Sequence, residues 1–500
     1  MAGRLLTDAE QRLLARLRSQ IRAQKRRNTL RDQYDDGEHV LDKMPVSIPD
    51  SMKDLRIPIG WPDKACTARA SRLRPSGYTN RIKTSLLENV DEIFAANQWQ
   101  QIERQVIRSA VRHGCAFVFT SRGDLASGEP EVLLTVADAH NASALLDGRT
   151  RRATAALELV NIPTPPGGFP LDRQILHLPW RSLVIENGLD HRPRVMDEVP
   201  TGTPRVLCTP YVHDGTLQRP FGRSAITRQL MGLTDLGVRN LMRYESTSEF
   251  YSAPRVWMKS AVAELFESTA DDNIRAGWEP IIGAILGLPE VFDEETGEVI
   301  RPELQQLPQV TMQPLADGFR MIAAQVSGET SVPLNYLGVV SDSNPTSAEA
   351  IKASELDLVN LAIYLQDSFD IGRRSLALDV LTVRHNGLDE TQMRDLATLT
   401  PRWDDPRTRS ITEQSQMVVQ QVQAGNFQPG SETTLRQLPI SEEDVQTFAQ
   451  EARTAQSSSR VMELLNRAAA ATDAEDTAGT VLADGADELA ADQAELAEAT

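Results

Sequence analysis

The chain has 500 residues, 40% hydrophobic and 24% charged, with a formal net charge of −18. That length calls for two to four packed units at ~100–200 residues each, and the ordinary apolar content excludes wholesale disorder. Cys66, Cys115 and Cys208 lie far apart without a C-x-x-C, which excludes a disulfide scaffold and a zinc finger and points to a reducing compartment.

The charge is unevenly spread. Residues 1–31 carry nine Lys/Arg against Asp8 and Glu10, whereas residues 461–500 carry ten Asp/Glu against Arg467. Overall acidity argues against a chain that grips DNA through neutralised phosphates. The apolar run at 281–288 is too short to cross a bilayer, which needs ~20 residues. The N-terminus has arginines but no apolar h-region, so no secretory signal is expected.

Residues 7–31 predict a basic amphipathic helix, with Leu13, Leu14, Leu17 and Ile21 at helical spacing between arginines. It reads as a solvated partner-contact helix, with phosphate contact as the sharper alternative. Pro45, Pro49, Pro58, Pro62 and Pro75 punctuate residues 40–80 and predict an extended or irregular arm. A helix over 86–96 and another to Arg112 end at Gly114, a C-terminal signal. Residues 115–120 (CAFVFT) then predict a strand, and 131–136 a second. A meander of short strands continues to about 213, interrupted by a Pro/Gly loop at 163–168.

At 222–252 the period becomes helical, and Pro254 ends it; this element could be ~45 Å long. Short strands and turns return over 257–316, with a hairpin-like acidic turn at 293–298. A further helix is expected at about 317–326. A polar stretch follows, and Thr346 and Glu349 fit a capping box that opens a long helix. Ile351, Leu358, Ala362, Leu365, Phe369, Leu376 and Val380 form its near-heptad stripe, and Gly372 offers a flexing point. One or two helices follow Pro401 and Pro406. The last fifty residues, rich in Ala, Glu and Asp, read as a disordered tail or a frayed helix.

Enzyme signatures are missing. There is no phosphate-cradling G-x-x-x-x-G-K-[ST] and no G-x-G-x-x-G. Ser224 stands in a sequence that starts like a nucleophile elbow, but Ile226 replaces the second glycine, so it reads as a helix-start hydroxyl. The seven histidines show no ligand spacing, and His113 reads as a cation near a helix C-terminus. The acidic run 293–298 departs from a calcium loop, since Gly297 is displaced and the closing Glu is absent. Asp404, Asp405 and the acidic group at 442–444 read as solvated faces. No metal site and no cofactor are expected.

The order of segments resembles that of the portal proteins of tailed bacteriophages, in the type found in long-tailed phages of actinobacteria. Residues 110–119 (AVRHGCAFVF) are similar to the family's helix-Gly-strand step. Residues 220–226 (PFGRSAI) resemble P-[YF]-G-x-S-x-I at the start of a long helix, and 252–257 (SAPRVW) its end. Residues 332–338 (VPLNYLG) with 344–351 (NPTSAEAI) are the most specific pair. Together they cover roughly residues 30–400.

The resemblance implies a predominantly helical α+β portal fold of wing, stem, clip and crown, assembled as a ring, most often a dodecamer. It places the basic helix and arm at 1–80, the wing at 81–221, stem helices at 222–256 and 317–336, and the clip at 257–316. The tunnel loop and long helix would span 337–385, wing-return or crown helices 386–450, and the acidic tail 451–500. It implies no enzyme, no cofactor and no membrane contact. The implied setting is a capsid vertex, after assembly in the host cytoplasm. Implied partners are double-stranded DNA passing without sequence specificity, the terminase large subunit, a head–tail adaptor, and the major capsid and scaffolding proteins. Ser341, Asp342, Ser343, Asn344, Pro345 and Thr346 would line the channel. Two other readings stand beside it: another virion structural component, or a hydrolase using Ser224 or an acidic pair.

Overall fold

A computed structural model describes residues 3–44, 48, 54–82, 84–88, 90–161, 172–187, 192–252, 256–259, 291–292, 299–300, 303–306, 311–339, 348–407, 411–428, 431–438, 444–448 and 450–451. The chain forms two compact units, Met1–Pro406 and Arg407–Thr500. Helix and sheet are both major components of the first, as an α+β fold requires.

The chain opens with the short strand β1 (Arg4–Leu5) and helix α1 (Asp8–Asp35). Thr7 caps α1: its hydroxyl accepts from Glu10 N, and Glu10 reaches back to Thr7 N at 2.8 Å. The helix runs four residues past the predicted end. It is not simply solvated, because Leu14 and Leu17 are 1% and 0% exposed.

Helix α2 (Trp61–Arg72) lies where the prolines predicted an extended arm. Pro62 falls in its first turn, where the missing N–H would have no helical partner anyway, so here proline starts a helix. Strand β2 (Pro75–Thr79), helix α3 (Val90–Ala96) and helix α4 (Trp99–His113) follow. Gly114 closes α4 at φ 106°, a conformation other residues resist.

The meander comprises β3 (Cys115–Arg122), β4 (Val132–Asp138), β5 (Ala142–Leu146), β6 (Ala153–Asn161), β7 (Asp172–Leu178), β8 (Arg181–Asn187), β9 (Pro193–Pro200) and β10 (Cys208–Val212). It builds two antiparallel sheets, ordered β1-β9-β8-β7-β6-β5 and β10-β3-β4. In the larger sheet, register sets Leu176 opposite both Leu157 and Leu183. That buried row takes the Leu14, Leu17 and Ile21 face of α1. In the smaller sheet β3 is buried from Cys115 to Thr120 without alternation. Phe117 and Phe119 face one apolar cluster while Ala116 and Val118 face another, so a continuous apolar run makes a strand covered on both sides.

Helix α5 (Arg228–Ser252) starts six residues later than its period suggested, after a turn over 222–227. Strands β11 (Val256–Lys259) and β14 (Glu303–Gln306) pair, as do β12 (Val291–Phe292) and β13 (Val299–Ile300) on either side of the predicted hairpin turn. The turn 293–298 and most of 260–310 lie outside the described residues. Helix α6 (Gln313–Thr330) packs on α5. Helix α7 (Ala348–Arg384) buries six of the seven predicted stripe residues; Ile351 is exposed. A Cβ at Gly372 would stand 3.0 Å from the Pro210 carbonyl oxygen. That glycine therefore permits close approach of α7 to β10 within one unbroken helix. Helix α8 (Glu390–Asp395) and strand β15 (Thr400–Trp403), paired with β2, complete the first unit.

The second unit carries α9 (Ile411–Gln423) and α10 (Glu432–Leu435), with Leu435 and Val445 forming a small buried cluster. The acidic tail beyond residue 451 lies outside the described residues.

Candidate functional site

Ser341, Asp342, Ser343, Asn344, Pro345 and Thr346 lie outside the described residues, as does the Thr346 half of the predicted capping box. Their anchorage is described on both sides. Upstream, a 3-10 turn at Leu334–Leu337 ends at Gly338, whose φ of 78° turns the chain toward Val339. Leu337 and Val339 are each 7% exposed and sit in a cluster with Trp61, Val326 and Leu358. Trp61 Nε1 donates to the Leu337 carbonyl at 3.3 Å, and its ring packs 5.2 Å from that of Phe319.

A polar clasp ties this root to α7. Tyr336 donates to Glu355 at 2.6 Å, and Arg72 reaches the same carboxylate at 2.8 Å. Arg72 also reaches the Tyr336 hydroxyl at 3.2 Å, and Lys64 stands 5.5 Å above the Tyr336 ring. Burial, and then the hydrogen bond to Glu355, raise the Tyr336 pKa, so the phenol stays a donor. Helix α2 thus supplies Trp61, Lys64 and Arg72 to a root whose other residues come from α6, α7 and the turn between them. Sequence reading missed this clasp, because it assigned no helix at 61–72 and no local pattern joins Arg72 to Glu355 across 283 residues.

Farther along α7, Arg373 is 1% exposed and pairs with Glu103 of α4 at 2.9 Å. Tyr211 donates to the same carboxylate at 2.9 Å, while Arg373 Nη1 donates to the Arg402 carbonyl at 2.7 Å. The guanidinium lies between the rings of Tyr78 and Trp403, 5.2 and 4.5 Å away. Every donor and acceptor of this hub belongs to a different element, so it fixes α7 against α4, β2, β10 and β15.

The other residues singled out in the sequence do not converge on this root. Ser224 is 3% exposed; its hydroxyl donates to the Arg112 carbonyl at 2.5 Å and accepts from Ile226 N at 3.0 Å. Those contacts make it a brace between the end of α4 and the turn before α5. Asp404 and Asp405 are exposed, and 442 and 443 lie outside the described residues. His113 does end α4, but it also joins Asp32 and His140, residues 81 and 27 positions away in sequence, in a grouping that no spacing announced.

Taken together, the described residues pair helices α5 and α6, pin the long helix α7 by a buried ion pair, and clasp the turn at Leu334–Leu337 to α2 and α7. Over 330 residues the chain is 23% identical to the portal protein of Mycobacterium phage L5 and 24% identical to the portal protein of Mycobacterium phage D29. Each match spans 65% of this chain and 65% of the relative's own length. No family model matches the chain. The resemblance to the portal proteins of actinobacterial phages is therefore shown by sequence. No helix among the described residues is long and apolar enough to cross a membrane.

Proposed function

We propose that this chain is the subunit of a portal ring, a dodecamer at one capsid vertex through which genomic DNA is packaged and ejected. Similarity to two mycobacteriophage portal proteins carries the reading. The clasped root at Leu337–Glu355 supports it, because a loop that meets moving DNA has to be held at its base. In this reading Ser341, Asp342, Ser343, Asn344, Pro345 and Thr346 line the throat. The stretch 339–346 holds Asp342 and no Lys or Arg. A channel for DNA of any sequence must not accumulate phosphate contacts, since these add binding energy and salt dependence that would brake sliding. Helices α5 and α6 serve as stem, and residues 257–316 as the clip that meets terminase and then the head–tail adaptor. The chain performs no catalysis.

End-on electron micrographs of the purified protein test the assembly, with a closed annulus and an axial hole expected. Monomers or open filaments would overturn it and favour another virion structural role. Replacing Asp342 and Asn344 together by lysine tests the throat: rings should form normally while DNA packaging slows or stalls. Unchanged packaging would remove the loop from the channel.

A further inference from the structure

Away from the loop frame, Asp32, His113 and His140 bring three ligating atoms within 4.8 Å of one another. Asp32 comes from the last turn of α1, His113 from the end of α4, and His140 from the turn between β4 and β5. Asp32 Oδ1 lies 2.7 Å from His113 Nε2, and Oδ2 lies 2.7 Å from His140 Nε2. Backbone contacts hold the three in place. Asn28 donates to the Ala139 carbonyl at 3.3 Å, Arg31 donates to the His113 carbonyl at 2.7 Å, and Asp138 accepts from His140 N at 3.1 Å. The side chains of Asp32 and His140 are 27% and 21% exposed, so an ion from solvent can reach them.

We propose that Asp32, His113 and His140 bind a divalent transition-metal ion that rivets α1 to α4 and to the β4–β5 turn. Two imidazole nitrogens and one carboxylate oxygen suit zinc, cobalt or nickel, whereas calcium and magnesium favour oxygen-only shells. Zinc bound at ~2.0–2.1 Å to each donor would hold the donors about 3.3 Å apart. The carboxylate now meets each imidazole at 2.7 Å through a different oxygen, and all three ligating atoms lie within 4.8 Å, so side-chain adjustment brings them around one ion. The nearby cation has somewhere else to go. Arg112 Nε stands 2.8 Å from Asp32 Oδ1 but makes no aligned hydrogen bond there. The same nitrogen is 3.3 Å from Asp35 Oδ2, and Arg112 Nη2 pairs with Asp36 at 2.9 Å. Asp35 Oδ1 is buried without a hydrogen-bond partner, so Arg112 keeps two carboxylates when Asp32 turns to the ion.

The full chain, freed of metal by a chelator, is titrated with Co2+, whose visible d–d absorption reports nitrogen ligation. Binding should saturate at one ion per chain, be displaced by Zn2+, and resist excess Mg2+. His140→Gln alters a partly exposed turn and should keep the wild-type melting temperature of the metal-free protein. It should weaken Co2+ binding by at least the ~10–100-fold that loss of a mere outer-shell partner costs. Asp32→Asn should do the same, while His385→Gln at the exposed end of α7 should change nothing. Wild-type affinity in His140→Gln, or no stoichiometric Co2+ signal at all, would reduce the three residues to a hydrogen-bonded triad and overturn the proposal. Ring formation is not the readout, so this result and the portal reading fall or stand separately.

Discussion

The sheet beneath α1 and the layer where α7 meets α4 and β10 are both buried, yet they are fastened by opposite means. Beneath α1 the contact is apolar, made by Leu14, Leu17 and Ile21 on a leucine row. Charge stays at the end of the contact, where the buried Glu10 pairs with two partly exposed arginines, Arg4 at 2.9 Å and Arg181 at 3.1 Å. Behind α7 a charged group lies at the centre, with Arg373 enclosed by Glu103, a carbonyl and two aromatic rings. Apolar contact is nearly non-directional and admits small slips. A buried ion pair gains little over an apolar replacement, but it is satisfied in one arrangement only. The difference teaches where position matters: the middle of α7 is set by direction-dependent bonds, whereas the face that α1 lays on the sheet rests on apolar contact.

The largest expected effect comes from unbalancing that hub. Glu103→Ala leaves Arg373 charged, buried and facing a void, which costs about 3–5 kcal/mol. Denaturant unfolding of the purified protein reads it. A loss below about 1 kcal/mol, the worth of an exposed pair, would erase the contrast drawn between the two regions.

Elements with a strong local period were legible in the sequence, and contacts made across distance were not. Helix α4, strand β3 and helix α7 follow from 3.6-residue stripes, a stop at Gly114 and an apolar run. Helix α2 escaped because prolines were read as breakers, although Pro62 occupies the one turn where proline is welcome. Gly372 was read as a flexing point, whereas its meaning lies in the Pro210 carbonyl beside it, which no local pattern shows. Glu103 and Arg373, 270 residues apart, carry no joint signal either. Residues 341–346 are singled out by the family-like motifs that flank them alone, and what the structure adds is the clasp around the preceding turn: Trp61, Arg72, Tyr336 and Glu355.

A middle-sized effect tests apolar fit at that root. Helix α5 passes Trp61 so closely that a Cβ at Gly237 would lie 2.7 Å from the indole and 3.0 Å from Ile59. Gly237→Val should therefore overpack the cluster and cost about 1–3 kcal/mol in thermal or chemical unfolding. Since Trp61 also holds the Leu337 carbonyl, the same variant should expose the root to faster amide exchange at 337–339. Unchanged exchange there would separate the indole's packing from its hold on the loop.

The smallest effect belongs to the rim of the sheet, and its sign follows from one carboxylate. Hydrogen bonding from Arg4 is the main influence on Glu10; it outweighs burial and, with Thr7, draws the pKa down to about 2. A carboxylate depressed in the folded state binds fewer protons than in the unfolded chain. Its contribution is therefore fully present above the ordinary glutamate range, near 4.3, and fades as pH falls toward 2. Arg4 and Arg181 are about two-fifths exposed, so water screens the network and reduces the gain to about 1 kcal/mol. Glu10→Gln should lower stability by that amount at pH 7, with the loss shrinking as pH falls from about 4 through about 2, which melting curves across the interval would show. An equal loss at both ends would mean that Glu10 acts through the shape of its capping box, and that charge at this rim fastens nothing.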